Sequence, residues 1–401
     1  MRVAVSCIFG LNGLLAAMWV AHIPVIRERT GVDHATLGGL LLAIGGSALV
    51  AMQLVGPLTD RIGSKWPTVV SAMGLSLAIL LPGLATSTTT LAVGLVAFGF
   101  CNGALDVSMN TQAVVCERAY RRPIMSSFHG YFSVGGLAGA GLVAVGLALD
   151  VPLMAVLGTF SAVGVVSAIV LSRDLLTGRA GDEADTPQQD KAGETVPRRP
   201  WGRIALLALV AFMLMLAEGV AYDWSALYIV ETYNVSDAVG AVAFGAFSAT
   251  MVIFRFSADT VSARFGPVAV VRGGAVVAVA GMALAICAPS APWSIVGWAV
   301  FGLGIAGGVP QLFTAAGNLT MAASGQIISV VVGFGYVGML AGPAVIGPLS
   351  HWFSLGSALW FAVVGLVVAI VFAPVVRPRE SGPRTTGPRH HLSDDRAKLE
   401  Q

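Results

Sequence analysis

The chain has 401 residues, of which 56% are hydrophobic and only 11% are charged. Soluble domains carry about a quarter of charged residues, so this composition excludes an ordinary soluble protein. The formal net charge of +2 provides no basic field that would attract nucleic acid, and we expect no nucleic-acid partner.

Twelve apolar runs follow one another along the chain. A bilayer core of about 30 Å needs roughly 20 helical residues to cross it, and without water every backbone group must be bonded within the helix. The runs have this length, so they predict an all-α membrane protein with twelve transmembrane helices. We place them at 3–23, 35–58, 67–86, 90–115, 124–148, 151–171, 203–230, 237–259, 267–288, 293–316, 325–349 and 354–376.

The longest break between apolar runs lies near the middle of the chain. Residues 173–202 contain Gly, Pro, Gln and both signs of charge without apolar periodicity. We interpret them as a cytoplasmic linker between an N-terminal half (residues 1–172) and a C-terminal half (residues 203–376), each with six helices. Residues 377–401 are predicted to be a disordered cytoplasmic tail, because they are rich in Pro, His and Arg.

The basic residues are distributed unevenly between the loops on the two sides. All but two of the 23 Lys and Arg residues fall in the termini and the even-numbered loops, with Arg255 counted in the loop after the eighth helix. The odd-numbered loops hold only Arg27 and Arg29. The positive-inside rule therefore predicts a multi-pass protein of the bacterial cytoplasmic membrane with both termini in the cytoplasm.

The two halves share short sequence matches at a constant spacing. At an offset of 203 residues, Val93-Gly94 and Phe98-Gly99 correspond to Val296-Gly297 and Phe301-Gly302. At an offset of 199 residues, Asp60 corresponds to Asp259, near the ends of the second and eighth helices. Because each half has six helices, these matches predict a parallel repeat about an axis along the membrane normal.

A motif in the turn between the second and third helices is the most specific feature of the chain. Residues 56–65 read Gly-Pro-Leu-Thr-Asp-Arg-Ile-Gly-Ser-Lys. The segment resembles the G-x-x-x-D-[RK]-x-G-[RK]-[RK] signature of the major facilitator superfamily, with Ser64 in place of a basic residue. The resemblance implies the two-half fold of that family. It also implies a cytoplasmic gate in which Asp60 pairs with a nearby Arg and a helix end of the other half. Its candidate residues are Gly56, Asp60, Arg61, Gly63 and, in the second half, Asp259; a purely topological role for Asp60 and Arg61 is the alternative.

The fourth helix carries one of three acidic side chains that fall well inside helices. Ionisable residues are costly in a membrane and usually face a cavity or a partner. Asn102, Asp106 and Asn110 recur every four residues and therefore share one face. The segment resembles the fourth helix of the fucose permease group, where such a carboxylate is tied to proton coupling. We predict that Asp106 is a proton site and that Asn102 and Asn110 bind substrate; a structural hydrogen-bond hub is the alternative for Asp106.

The seventh helix carries the other two acids. The run from Glu218 to Ser225 resembles the E-G-x-x-x-D-W-S pattern of bacterial permeases near the fucose permease group, whose substrates are mostly unassigned. We predict that Glu218 and Tyr222 contact substrate and that Asp223 and Trp224 close the outer mouth. Alternatively, Asp223 pairs with an outer arginine and Trp224 is an interfacial anchor.

Each helical residue adds about 1.5 Å of depth. Counted from the cytoplasmic ends of their helices, His129 on the fifth helix and Asp106 are predicted to lie within several Å of the same depth. His129 is therefore a candidate proton relay, with a packing histidine as the alternative. Weaker substrate candidates are polar or aromatic residues on the first, tenth and eleventh helices, which line the pathway in the superfamily that this chain resembles. They are Asn12, Trp19, Gln311 and Tyr336.

These observations predict a secondary transporter of a small polar solute that is sugar-like or a related metabolite. We expect proton coupling, alternating access and a monomer in the bilayer, and no cofactor or metal. The alternative is an exporter of a drug or natural product by proton antiport. We find neither a set of nucleophile, His and acid nor a phosphate-binding loop in the sequence, and we therefore do not expect an enzyme. Glycine-rich stretches, including Gly135, Gly139, Gly333 and Gly338, are expected to let helices approach closely and slide.

Overall fold

The computed structural model describes residues 1–177, 200–320 and 323–378. In this part of the chain, twelve helices are long and apolar enough to cross a membrane, which confirms the predicted number. Two of them, α3 and α10, are interrupted by a short turn. The helices are α1 (Arg2–Thr30), α2 (His34–Ile62), α3 (Lys65–Ala78 and Leu80–Leu84), α4 (Thr88–Tyr120), α5 (Met125–Ala148), α6 (Leu153–Leu171), α7 (Trp201–Tyr233), α8 (Asp237–Phe265), α9 (Pro267–Cys287), α10 (Ala291–Ile305 and Gly308–Gly317), α11 (Ser324–Trp352) and α12 (Leu355–Phe372).

Several helices extend past the limits of their apolar runs, and their ends are set by local hydrogen bonding. α4 begins with a capping box, in which Thr90 N donates to Ser87 Oγ over 3.3 Å and Ser87 N donates to Thr90 Oγ1 over 3.1 Å. Its last helical residue is Tyr120, and the next residue, Arg121, ends the helix with a left-handed φ of 52°. α1 continues to Thr30 because the left-handed Gly31 ends it there with a backbone bond to Arg27 O. Apolarity alone therefore underestimates the helix lengths.

The two halves have the same internal packing. In the first half α1 packs against α5 and α2 against α4; in the second half α7 packs against α11 and α8 against α10. The contacts between the halves also occur in a related pair, since α2 packs against α11 and α5 packs against α8. This arrangement is the predicted pseudo-symmetry of two six-helix halves.

Part of the predicted linker and most of the predicted tail, residues 178–199 and 379–401, lie outside the described residues. The domain limits therefore stay a prediction. Next to the linker, Ser172–Asp174 form one 3-10 turn that continues α6.

The glycine-rich stretches mostly hold each half together. A Cβ on Gly135 of α5 would lie 1.9 Å from Gly10 O of α1, and a Cβ on Gly338 of α11 would lie 2.2 Å from Phe212 O of α7. These contacts join helices of the same half, so they do not form a surface on which the halves slide. Gly333, in contrast, faces Gln53 of the other half.

Candidate functional site

A carboxyl group lies in the middle of α4, inside the helix bundle. Asp106 is only 6% exposed, and its Oδ1 accepts a hydrogen bond of 3.3 Å from Asn110 Nδ2 one turn further along the helix. The same amide donates to the backbone carbonyl of Asp106 over 2.8 Å. Asp106 Oδ2 has no hydrogen-bond partner in the described part of the chain. This oxygen is therefore available to a proton or to a donor group of a solute.

The second acid of the interior, Glu218 on α7, forms an ion pair with Arg255 on α8. Arg255 Nη2 lies 3.0 Å from Glu218 Oε1, and both residues are 7% exposed. Arg255 Nη1 also donates a hydrogen bond of 2.6 Å to Ser133 Oγ on α5. Since α5 belongs to the first half and α8 to the second, Arg255 joins the halves in the interior. Loss of the charge on Glu218 would leave this guanidinium buried without its counter-ion.

Two tyrosine residues interact electrostatically with these carboxylates. Tyr336 on α11 is within electrostatic range of both Asp106 and Glu218, and Tyr222 on α7 is within range of Glu218 and Arg255. The Tyr222 ring packs edge-on against Phe247 of α8, and 37% of the residue is exposed. Hydroxyl groups from α7 and α11 therefore face the same region as the two acids.

His129 lies between aromatic rings from both halves. Its ring centroid is 5.3 Å from that of Phe9 on α1 and 5.5 Å from that of Phe313 on α10. Its Nε2 has no hydrogen-bond partner among the described residues. The described contacts of Asp106 include Asn110 but no hydrogen bond to His129, so the relay role of His129 stays a prediction.

Asn12 of α1 belongs to the same group of buried polar residues as the two acids and the two tyrosines. Its Nδ2 donates a weak hydrogen bond of 3.7 Å to Met109 Sδ. Several buried polar atoms of the group have no partner in the part of the chain that the structure describes, and burial without a partner is costly. They are Asn12 Oδ1, Asp106 Oδ2, Asn110 Oδ1 and Arg255 Nε; outside the group, Asn102 Oδ1 on α4 also has no partner among the described residues. We call the seven residues Asn12, Asp106, Asn110, Glu218, Tyr222, Arg255 and Tyr336 the polar layer.

The halves are held together on one side of the polar layer, at the end of the bundle that carries Arg61, Lys65, Arg118, Arg121 and Arg122, which we call the arginine-rich end. Asp60, in the last turn of α2, caps α11 of the other half. Its two carboxylate oxygens accept hydrogen bonds of 2.7 and 2.9 Å from the backbone N–H groups of Gly325 and Gln326. A carboxylate at a helix N-terminus is stabilised by the free N–H groups and by the helix dipole.

A second cap of the same kind occurs at Asp259, the residue that corresponds to Asp60 in the repeat of the two halves. Asp259, near the end of α8, accepts hydrogen bonds of 2.9 and 2.8 Å from the backbone N–H groups of Ser126 and Ser127, at the start of α5. Ser127 Oγ adds a third bond of 2.7 Å. Each half therefore supplies a carboxylate that caps a helix of the other half.

Close approach of the backbones accompanies the first cap. A Cβ on Gly56 would lie 2.6 Å from Ser329 Cβ and 2.7 Å from Gly325 O, both on α11. Gly63 ends α2 with a left-handed φ of 82°, and Arg61 before it is exposed. Glycine at position 56 is thus required by the contact between the halves as it stands.

Other predicted site residues lie outside the polar layer. Gln311 belongs to the contact at the arginine-rich end, because its Nε2 donates to Ser126 Oγ over 3.4 Å and its Oε1 accepts from Ser262 Oγ over 2.8 Å. Trp19 is 4% exposed and packs in the apolar core. Asp223 is exposed and Trp224 lies beside Gly347 of α11, towards the other end of α7.

The role of Arg255 as the buried partner of Glu218 was not predicted from the sequence. Its assignment to a loop is wrong, because the side chain is buried in α8 and paired with Glu218. Two signals pointed to it. Glu218 needed a partner in the membrane, and Arg255 lies one turn before Asp259, on the same face of α8.

Two further residues at the arginine-rich end, Glu117 and Arg118, bind residues of the other half. The sequence patterns did not predict these contacts. Glu117 is buried, and it accepts bonds of 2.8 Å from Ile124 N, Met125 N and Thr314 Oγ1, the last in the other half. Arg118 donates to Asn318 Oδ1 over 2.6 Å and to Gly317 O. Sequence spacing does not reveal these contacts, because they form only when the halves meet.

Twelve membrane helices in two similarly packed halves, with polar and charged groups buried between them, define a polytopic membrane transporter. The model of the Major Facilitator Superfamily matches residues 5–324 and 207–395. The chain belongs to this family.

Two curated relatives and one solved structure are similar to the chain along most of its length. The chain is 34% identical over 373 residues to an uncharacterized MFS-type transporter of Yersinia pestis, covering 93% of this chain and 94% of the relative. It is 31% identical over 381 residues to the membrane protein MosC of Rhizobium meliloti, covering 95% and 91%. Its fold is similar to that of FucP, a transporter of the same family solved in the outward conformation, with a TM-score of 0.78, 15% identity and coverage of 94% and 98%.

Proposed function

We propose that the protein is a proton-coupled secondary transporter that moves a small polar solute across the bacterial cytoplasmic membrane. One observation carries this proposal: a layer of polar and charged side chains is buried between the halves, and several of its atoms have no partner among the described residues. In a membrane interior such groups are retained where a solute or ion meets them.

The solute is small and rich in hydroxyl or amide groups, such as a sugar or a related metabolite. The polar layer offers carbonyl acceptors from Asn12 and Asn110 and a carboxyl oxygen from Asp106. The hydroxyl groups of Tyr222 and Tyr336 can donate or accept. A polyhydroxylated solute can satisfy such a mixed set, whereas an apolar one would leave it unpaired. Asn102, Trp19 and Gln311 are second candidates for contact with the solute.

Proton coupling acts through Asp106, with His129 as a candidate relay. Low-dielectric surroundings generally favour the neutral form of a carboxyl group. Asp106 is deeply buried, and its described side-chain hydrogen bond comes from a neutral amide. Protonation would turn one of its oxygens from an acceptor into a donor and thereby change which groups it can bind.

The structure corresponds, in this proposal, to the state that is closed on the cytoplasmic side. The arginine-rich end faces the cytoplasm, as the positive-inside rule requires. Release of the caps at Asp60 and Asp259 would let the two halves tilt and open this end, with Gly56, Arg61 and Gly63 in the same gate. Asp223 and Trp224 are candidates for the outer gate. The monomer is the functional unit.

The experiment that tests this function is uptake into proteoliposomes. Purified protein is reconstituted at a defined internal pH, and radiolabelled sugars, polyols and amino sugars are offered with and without an imposed proton gradient. We expect one class to accumulate above its equilibrium level only with the gradient, and a protonophore to abolish the accumulation. Accumulation that ignores the gradient would contradict the coupling. Accumulation only with the opposite gradient would establish the alternative, export by antiport.

A further inference from the structure

A hollow of about 300 Å³ opens at the arginine-rich end, apart from the polar layer. Residues of both halves line it, and its charge is strongly one-sided. Among the described residues, the charged part of the lining consists of five arginines and one acid, namely Arg118, Arg121, Arg122, Arg203, Arg377 and Glu117.

The single acid balances at most one of the five guanidinium charges, and its oxygens have other partners. Glu117 Oε2 accepts hydrogen bonds from the backbone N–H groups of Ile124 and Met125, and its Oε1 accepts one from Thr314. Both oxygens are therefore engaged by the start of α5 and by α10. Guanidinium groups around one hollow repel one another, and an anion bound among them removes this repulsion.

Two of the arginines are held in place by hydrogen bonds to backbone carbonyl groups and, for Arg118, to a side-chain amide as well. Arg203 donates hydrogen bonds of 3.1 and 2.9 Å from Nε and Nη2 to Val375 O. Arg118 is held by Asn318 and Gly317. Little side-chain freedom remains to be lost when these two groups bind an anion.

The other three arginines are exposed and stand at the rim. The left-handed φ of 52° at Arg121 turns the chain sharply after α4, so that Arg121 and Arg122 leave the helix at the hollow. Arg377 follows the last helical turn of the second half and also lines the hollow. In the described part of the chain, the side chains of Arg121 and Arg377 form no ion pair.

We propose that this hollow binds a phosphate group, supplied either by the headgroup of an anionic lipid or by a soluble phosphate. Arginine forks match phosphate oxygens in pairs of hydrogen bonds, and basic pockets between membrane helices on the cytoplasmic side suit anionic headgroups. Because Arg118, Arg121 and Arg122 come from the first half and Arg203 and Arg377 from the second, the phosphate would bridge the halves. The lipid source rests on the orientation given under the proposed function; the soluble source does not.

The test measures thermal unfolding of the full chain and needs no transport assay. In one arm, protein in neutral detergent is titrated with inorganic phosphate against chloride at equal ionic strength. In the other arm, protein in phosphatidylcholine nanodiscs is compared with protein in nanodiscs that contain increasing phosphatidylglycerol. We expect a saturable rise of the unfolding midpoint in at least one arm, and the arm that saturates identifies the source of the phosphate.

Matched variants distinguish a site from a general surface charge. Arg121→Gln/Arg377→Gln removes one rim arginine from each half, and Arg173→Gln/Arg264→Gln removes two exposed arginines outside the hollow. At about 1 kcal/mol for each arginine, the first pair should raise the half-saturating concentration roughly 30-fold, and the second pair should leave it unchanged. The proposal is overturned if neither arm saturates, or if both variants weaken the response equally. Failure of the transport proposal would leave this result intact.

Discussion

At the scale of single residues, the ion pair between Glu218 and Arg255 is the contact whose loss has the clearest consequence. Both residues are 7% exposed, and Arg255 Nη1 also donates to Ser133 of the other half. Removal of one partner leaves a buried charge, whereas removal of both leaves two neutral groups. The cost of a single substitution should therefore exceed the cost of the double substitution.

We expect Glu218→Gln to lower the free energy of unfolding by about 3 kcal/mol, and Glu218→Gln/Arg255→Gln to recover part of this loss. The measurement is denaturant or thermal unfolding in detergent. Glu231→Gln is the matched control, because Glu231 lies on the same helix and is exposed. A Glu218→Gln variant as stable as this control would show that the pair is unimportant to the fold.

The positions of the buried acids could be predicted from the sequence, because burial of an acid carries an evident cost, whereas their roles stay predictions. Asp106 and Glu218 stand out because acids are rare in apolar helices, and both lie in the polar layer. Arg255 did not stand out, because an arginine a few residues from a predicted helix end is an ordinary interfacial charge. Gln311 was assigned to the pathway by its helix, but its level in the bundle depends on packing between the halves. The contacts of both residues depend on the positions of neighbouring helices.

At the scale of helices, contacts inside a half and contacts between halves should respond differently to an added side chain. Gly135 of α5 packs on α1 within the first half, and its added Cβ would lie 1.9 Å from Gly10 O. Gly56 of α2 packs on α11 of the second half. The first contact is part of a rigid unit, while the second can be relieved by a relative movement of the halves.

Gly135→Val should therefore destabilise the fold, by about 1–3 kcal/mol or more, because the backbone of α1 must shift to make room. The check is the unfolding midpoint in detergent. Gly141→Val on the same helix is the control, since a Cβ there meets nothing within 4 Å. Equal midpoints for the two variants would argue against the tight packing of α1 on α5.

Gly56→Val should instead shift the protein towards a state that is open at the arginine-rich end. The separation is measured by pulsed EPR between spin labels at Asp174→Cys and Ala263→Cys, with the native cysteines replaced. Both positions are exposed; Asp174 lies in the turn that continues α6 of the first half, and Ala263 lies on α8 of the second half. We expect a longer-distance population that is absent with Gly46→Val, because Gly46 on the same helix has open space around it. An unchanged distance distribution for Gly56→Val would contradict the contact.

At the scale of the whole molecule, the symmetry of the two caps predicts that both stabilise the contact between the halves at the arginine-rich end to a similar extent. Asp60 and Asp259 each accept two backbone N–H bonds from a helix of the other half. An asparagine can accept only one of the two N–H bonds, because its NH2 group is a donor. At about 1 kcal/mol for the bond lost at each cap, Asp60→Asn/Asp259→Asn should change the ratio of open to closed molecules roughly 30-fold. The same spin labels measure this ratio.

Asp33→Asn is the control for the double cap variant. Asp33 also caps a helix, accepting a 2.7 Å bond from Thr36 N, but this contact lies within one half. It should leave the label distances unchanged. If the double variant stays as closed as this control, the caps do not hold the halves together.

The overall architecture was predictable because bilayer thickness sets the length of each membrane helix. The orientation inferred from loop charge stays a prediction. The parallel repeat was visible in the correspondence of Asp60 with Asp259, and both prove to cap helices of the other half. The partners at these caps were out of reach, since Ser126 and Gly325 carry no distinctive pattern of their own. Contacts that form between two rigid bodies depend on their docking, which short-range sequence patterns do not encode.

The most direct test of the transport account is the effect of Asp106→Asn on two reactions in proteoliposomes. Asparagine keeps the size and hydrogen-bonding capacity of the side chain but cannot take up a proton. Asp150→Asn serves as the control, because Asp150 is exposed and has a φ of 53° that asparagine also adopts. We predict that Asp106→Asn abolishes accumulation driven by a proton gradient and retains exchange of solute across the membrane. Gradient-driven accumulation at the wild-type level in Asp106→Asn would contradict the account.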